Sequence, residues 1–189
     1  MITLLILTGI PVVLLVVAIV VGMRLPKTHQ AASRIRLPLP PEKIWEIITD
    51  IEAFPSWRPG LRGVERAPDI GGKLSWFEVC GKKAKVQFRV VEMRPPHRLV
   101  TALVGDHLPL KGSWIYELER DEADHTILTI TECDRIFHPV FRFFARYVLA
   151  YHGVMDVFLL ALARAIGSSA RPEHLSIPSR PAESDAELA

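Results

Sequence analysis

The chain has 189 residues, 49% of them hydrophobic, and 23 Lys and Arg against 21 Asp and Glu give a formal net charge of +2. That length predicts one domain with additions, and so even a charge balance argues against a nucleic-acid surface or an acidic substrate. Two cysteines, Cys80 and Cys133, lie too far apart to suggest a metal spacing or a disulfide framework, so two buried thiols in a reducing compartment are expected.

Residues Ile2 to Met23 carry no charge and are mostly Leu, Ile and Val. At helical rise they reach roughly 33 Å, enough for a hydrocarbon core of about 30 Å. No Lys or Arg precedes the run, and it is longer than a signal-peptide core. Residues 1–23 are therefore expected to be an uncleaved transmembrane anchor. Arg24, Lys27, Arg34 and Arg36 follow it, which predicts a single-pass topology with the C-terminal domain on the cytoplasmic side. Residues 24–32 read as a linker, with an extended reach of about 30 Å.

The folded domain is expected over 33–167. Ser33 to Leu39 alternates as a strand. Pro41 suits the first turn of a helix, and Ile44, Trp45, Ile47, Ile48 and Ile51 recur at helical spacing. Pro55 and Pro59 break the chain into short turns or a second small helix. Six strands then follow: Leu61–Arg66, Lys73–Cys80, Lys83–Met93, Arg98–Val104, Gly112–Arg120 and Thr126–Phe137, with Gly81-Lys82 as a hairpin turn. Their alternation predicts a sheet with one covered face. A long helix, His138 to Gly167, carries Phe144, Val148, Tyr151, Met155, Phe158, Leu162 and Ile166 on one stripe, with Gly167 as its C-cap. The tail 168–189, rich in Pro, Ser, Ala and charge, is expected to be disordered.

The opening PPEKIWEIITDIEAFPSW, followed by strands and a terminal amphipathic helix, resembles the SRPBCC (START-like, helix-grip) superfamily over about Ile35 to Gly167. It is most similar to the polyketide cyclase/dehydrase and lipid-transport branch. The resemblance implies an α+β helix-grip fold, a curved antiparallel sheet of about seven strands wrapped on a long C-terminal helix. It also implies a cavity between the two. Fold alone does not settle function, because this family spans binding proteins, carriers and enzymes.

Candidate ligand-binding residues are Trp57, Trp76 (or its neighbour Phe77), Phe88, Trp114, Tyr116, Ile130, Glu132, Phe144, Met155 and Phe158. They supply the apolar wall and few polar groups that ligand sites use. Glu132 shares its face with Leu128 and Ile130, and Asp134 continues that register; a carboxylate there binds a headgroup, serves as a base, or pairs with Arg135 or Arg98. Glu78 and Glu92 raise the same question. His152 and Asp156 stand one helical turn apart, where a structural pair is expected. No His-Glu-x-x-His or Cys-x-x-Cys occurs and Gly71-Gly72 lacks a phosphate-loop context, so no metal and no cofactor is expected. Arg142, Arg146 and Arg164 share the outer helix face with Leu149, Val157 and Leu160, a pattern suited to a membrane surface or another protein.

These features lead to a membrane-held domain that binds a hydrophobic or amphipathic molecule: a lipid, isoprenoid, quinone or polyketide-like compound. A cyclase or dehydratase using Glu132, Asp134, Tyr116 or His152 is the alternative. An assembly factor with a protein partner is a third.

Overall fold

A computed structural model gives the fold and describes residues 2–81, 84–105, 108–148 and 152–176, without the side chains of 2–9 and 123. In chain order the elements are α1 (Ile2–Arg24), β1 (Thr28–Leu37), α2 (Pro41–Thr49), a 3-10 turn (Ile51–Ala53), α3 (Phe54–Trp57), β2 (Leu61–Ile70), β3 (Lys73–Cys80), β4 (Ala84–Arg94), β5 (Arg98–Val104), β6 (Leu110–Asp121), β7 (His125–Ile136), α4 (Pro139–Tyr147), α5 (Gly153–Ala165) and β8 (Glu173–Leu175). The strands form one antiparallel sheet in the order β2-β3-β4-β5-β6-β7-β1-β8. The architecture is α+β, a helix-grip arrangement.

Period-two patterning makes the sheet. Leu128 and Ile130 of β7 are fully buried, and so are Ile35 and Leu37 of β1. A register shift between Val90 and Glu92, where β4 pairs with β5, bends the sheet. Pro41 opens α2, which buries Ile44 and Ile48. The Asp50 side chain accepts a hydrogen bond from the Ala53 amide and starts the 3-10 turn. Helix α5 lays Met155, Phe158, Leu159 and Leu162 into the core. The Ser33 hydroxyl on β1 reaches Asp156 Oδ1 at 3.2 Å and His152 Nδ1 at 3.1 Å, tying α5 to the sheet.

Several expectations are corrected. Among the described residues no helix is long and apolar enough to cross a membrane. Helix α1 does form over Ile2–Arg24, with Pro11 inside it, and its far end packs on α4. Strand β1 begins at Thr28, not Ser33, which takes residues 28–32 out of the expected linker. The sheet has eight strands rather than about seven, because tail residues Glu173–Leu175 pair with Ala32–Arg34. The remaining tail, 177–189, lies outside the described residues, as do Lys82 of the expected hairpin turn, Lys83 at the start of the expected third strand, Tyr151 of the expected stripe and Leu149 of the expected outer face.

The single long helix is two helices, α4 and α5, because they pack on different partners. Helix α4 lies against α1. There Arg142, 7% exposed as a residue, donates its Nη1 to the Leu25 carbonyl at 3.3 Å. A Cβ on Gly22 would fall 2.0 Å from the Pro139 carbonyl oxygen, so the helices touch backbone to backbone. Arg142 is therefore buried and does not belong to an outer basic face. Cys80 and Cys133 are half-buried, not fully buried.

Candidate functional site

A cavity of about 650 Å³ lies between the inner face of the sheet and helices α4 and α5. Alternation along five strands builds its wall: Trp76 and Glu78 from β3, Phe88 and Val90 from β4, Leu99, Thr101 and Leu103 from β5, Gly112, Trp114 and Tyr116 from β6, and Glu132 and Asp134 from β7. Phe141 and Phe144 of α4, Val148 just after it, and Val154 of α5 line it too. All four are 48–60% exposed, so they form the rim of its mouth.

Of the ten predicted ligand-binding residues, Trp76, Phe88, Trp114, Tyr116, Glu132 and Phe144 line this cavity. Ile130 and Met155 are fully buried core residues beneath it. Phe158 is buried at the centre of an aromatic cluster, with ring centroids 5.2 Å from Trp57, 5.7 Å from Trp114 and 5.8 Å from Tyr116. It does not line the cavity but packs behind Trp114 and Tyr116, which do. Trp57 turns away and flanks a shallow groove with Arg164.

Two polar clusters interrupt the apolar wall. In the first, Arg58 Nη1 donates to Glu78 Oε1 at 2.6 Å and Nη2 to Oε2 at 3.0 Å. The guanidinium lies 4.9 Å from the Phe54 ring centroid and 5.3 Å from that of Phe158, and Trp76 Nε1 adds a bond to Glu78 at 3.4 Å. Burial raises the Tyr116 phenol far above its ordinary value, so it remains a hydroxyl at neutral pH.

The second cluster joins His29, Glu132 and Asp134. His29 pairs with Asp134 across β1 and β7, and Glu132 is two residues back on the same face. One ligand-type atom from each lies within 4.8 Å of the others. Trp114, opposite Glu132 on β6, donates its Nε1 to Glu132 Oε1 at 2.9 Å. Burial raises both carboxyls above the usual carboxylate range, and the neighbouring Glu132 raises Asp134 further. Burial, with His152 adding to it, holds the His29 imidazole down to about 4.

The other candidates lie elsewhere. Arg98 bonds Glu92 and Glu117 rather than Glu132. Asp156 accepts from His174 of β8 at 2.8 Å, and the rings of His152 and His174 stack at 4.0 Å, a structural clasp on the strand. Arg58 and His29 were not among the predicted site residues. For His29 the signal was present: His29, Ala31, Ser33, Ile35 and Leu37 alternate as one face once the strand is extended backwards. Arg58 follows the aromatic turn and carries no periodic signal.

Comparison with known proteins agrees with this geometry. Residues 28–167 match the family model described as polyketide cyclase / dehydrase and lipid transport. None of the curated proteins matches the chain. Among solved structures, a conserved protein from Geobacillus kaustophilus superposes with a TM-score of 0.59 at 19% identity, covering 77% of this chain and 100% of its own. The Zhui aromatase/cyclase from Streptomyces sp. R1128 gives a TM-score of 0.59 at 15% identity, covering 74% and 94%. A START superfamily protein from Mycobacterium smegmatis gives 0.55 at 19% identity, covering 73% and 94%. At these identities the structures share the fold alone. With the family model spanning most of its length, the chain belongs to the polyketide cyclase/dehydrase and lipid transport family.

Proposed function

We propose that this domain binds one hydrophobic or amphipathic small molecule, a lipid, isoprenoid or polyketide-like compound, between its sheet and helices α4 and α5. The carrying observation is the cavity of about 650 Å³, apolar over most of its wall and polar at two places. Volumes of about 300–1,000 Å³ with a few placed polar groups suit such ligands. The test is mass spectrometry of the organic extract of natively purified protein beside a Leu103→Trp variant, whose added ring fills the cavity. A lipid-like species retained by the wild type and lost from the variant is the expected result. Equal extracts would remove the cavity as its site.

Attachment to a membrane, with the domain on the cytoplasmic side, belongs to the same reading. From Ile10 to Val17 the side chains of α1 are exposed and apolar, and its far end packs on α4 at the cavity mouth. An exposed apolar surface of this extent suits a lipid contact. A second reading, a cyclase- or dehydratase-like enzyme, is favoured by the carboxylates of Glu132 and Asp134 at the cavity wall. A ligand recovered chemically altered after incubation distinguishes it from plain binding.

A further inference from the structure

We propose that His29, Glu132 and Asp134 form a site for one divalent transition-metal ion at a polar corner of the cavity. This goes beyond ligand binding, and it stands whether or not a hydrophobic molecule fills the space.

Two antiparallel strands bring the three side chains to one face at adjacent register positions. Their donor atoms already lie within 4.8 Å of one another. Donors bound about 2.1 Å from a common ion stand roughly 3.0–3.5 Å apart, so small side-chain adjustments close the set. All three residues line the cavity wall, so an ion there faces the enclosed space.

The donor chemistry is specific. One imidazole nitrogen and two carboxylate oxygens suit zinc, manganese or ferrous iron; thiolate-seeking ions are not served. Cys133 sits between the two carboxylate residues on β7, and strand alternation sends it to the opposite face.

The surroundings are shaped for the carboxylates. The Trp114 indole N–H orients Glu132, as outer partners of metal ligands do. Opposite Asp134 stands Gly112, where an added Cβ would fall 2.1 Å from Asp134 Oδ1. The carboxylate occupies room that only glycine leaves.

Charge points the same way. Arg58, the guanidinium among the lining residues, is taken bidentately by Glu78. Glu132 and Asp134 then stand together in a largely apolar space, where two negative charges repel. A dication offsets both. Three protein ligands leave a position open toward the cavity, suited to a carbonyl or hydroxyl oxygen of an amphipathic molecule.

The experiment is titration of chelator-stripped full-length protein with Zn²⁺ by calorimetry, and with Co²⁺ by visible absorption. One equivalent of Zn²⁺ is expected, with a Co²⁺ spectrum lacking a thiolate charge-transfer band. His29→Ala, Glu132→Gln and Asp134→Asn should each weaken binding at least tenfold. Trp114→Phe should weaken it by about tenfold, as loss of an outer partner does. His174→Ala, in the clasp outside the cavity, should leave it unchanged. If stripped wild-type protein takes up no stoichiometric ion, the carboxylates share a proton instead and the proposal falls. It falls equally if the cobalt spectrum shows a thiolate band, or if binding survives all three ligand substitutions and is lost with His174→Ala. The wild-type cobalt spectrum remains decisive should a variant fail to fold.

Discussion

Arg58 and Glu78 hold charge inside the molecule, and removing one partner alone strands the other. Glu78 is 6% exposed at its side chain and Arg58 22%. Breaking a buried pair from one side costs about 3–5 kcal/mol, whereas replacing both partners with apolar groups is often neutral. Arg58→Met should therefore lower stability by about that amount in urea unfolding, and Arg58→Met with Glu78→Leu should recover most of it. An additive result would show that the two charges are not coupled. Residues of this kind resist reading from the sequence. Their partners come from elements twenty residues apart, and no periodicity marks an arginine after a turn. Glu132 was within reach because it follows Leu128 and Ile130 at the sheet's own period. His29 is harder to see because the plainest alternation covers Ser33 to Leu39, although strand β1 runs back through the histidine to Thr28.

Strands were the most readable elements, since alternation encodes a single covered face. The seven long strands follow the sequence pattern closely. The eighth has three residues and too little periodicity to show. The division between α4 and α5 was equally hidden. An apolar stripe reports that a face is buried, not what buries it. Here α4 meets α1 and the cavity mouth while α5 meets the sheet. The clasp between α5 and β8 gives an element-scale prediction. Burial, and then His174, hold the His152 pKa below its ordinary value, while Asp156 opposes them. Ser33 of β1 also touches the ring, and His29 of β1 senses its charge. A lowered histidine pKa means that the unfolded chain binds more protons. Its stabilisation is thus complete above about pH 6.5 and is lost as pH falls below that value. Thermal melts of wild type and His152→Ala at pH 7.5 and 5.5 isolate this share from the raised Glu132 and Asp134 carboxyls, which act in the opposite sense: the change from pH 7.5 to 5.5 should be less unfavourable in His152→Ala than in the wild type. An equal change in both proteins would assign the acid response to other groups, His29 among them.

Taken whole, the molecule sets an apolar helix beside the open end of an apolar cavity. Val13 and Val16 on α1 are 61% and 52% exposed. Val13→Asp with Val16→Asp should sharply reduce co-flotation of the purified protein with phospholipid vesicles while leaving the domain's circular dichroism unchanged; undiminished flotation would remove α1 as the point of attachment. Strand order carries a consequence of another kind. β1 is made early yet lies between β7 and β8, with Thr28 beside Arg135 and Leu37 beside Thr126. During synthesis it must wait, unpaired, until most of the chain has emerged. Such distant pairing slows closure and leaves a bare edge exposed meanwhile. The His29–Asp134 corner does not exist until that closure, so a ribosome stalled before β7 would carry the hydrophobic helix and the meander, but no binding site.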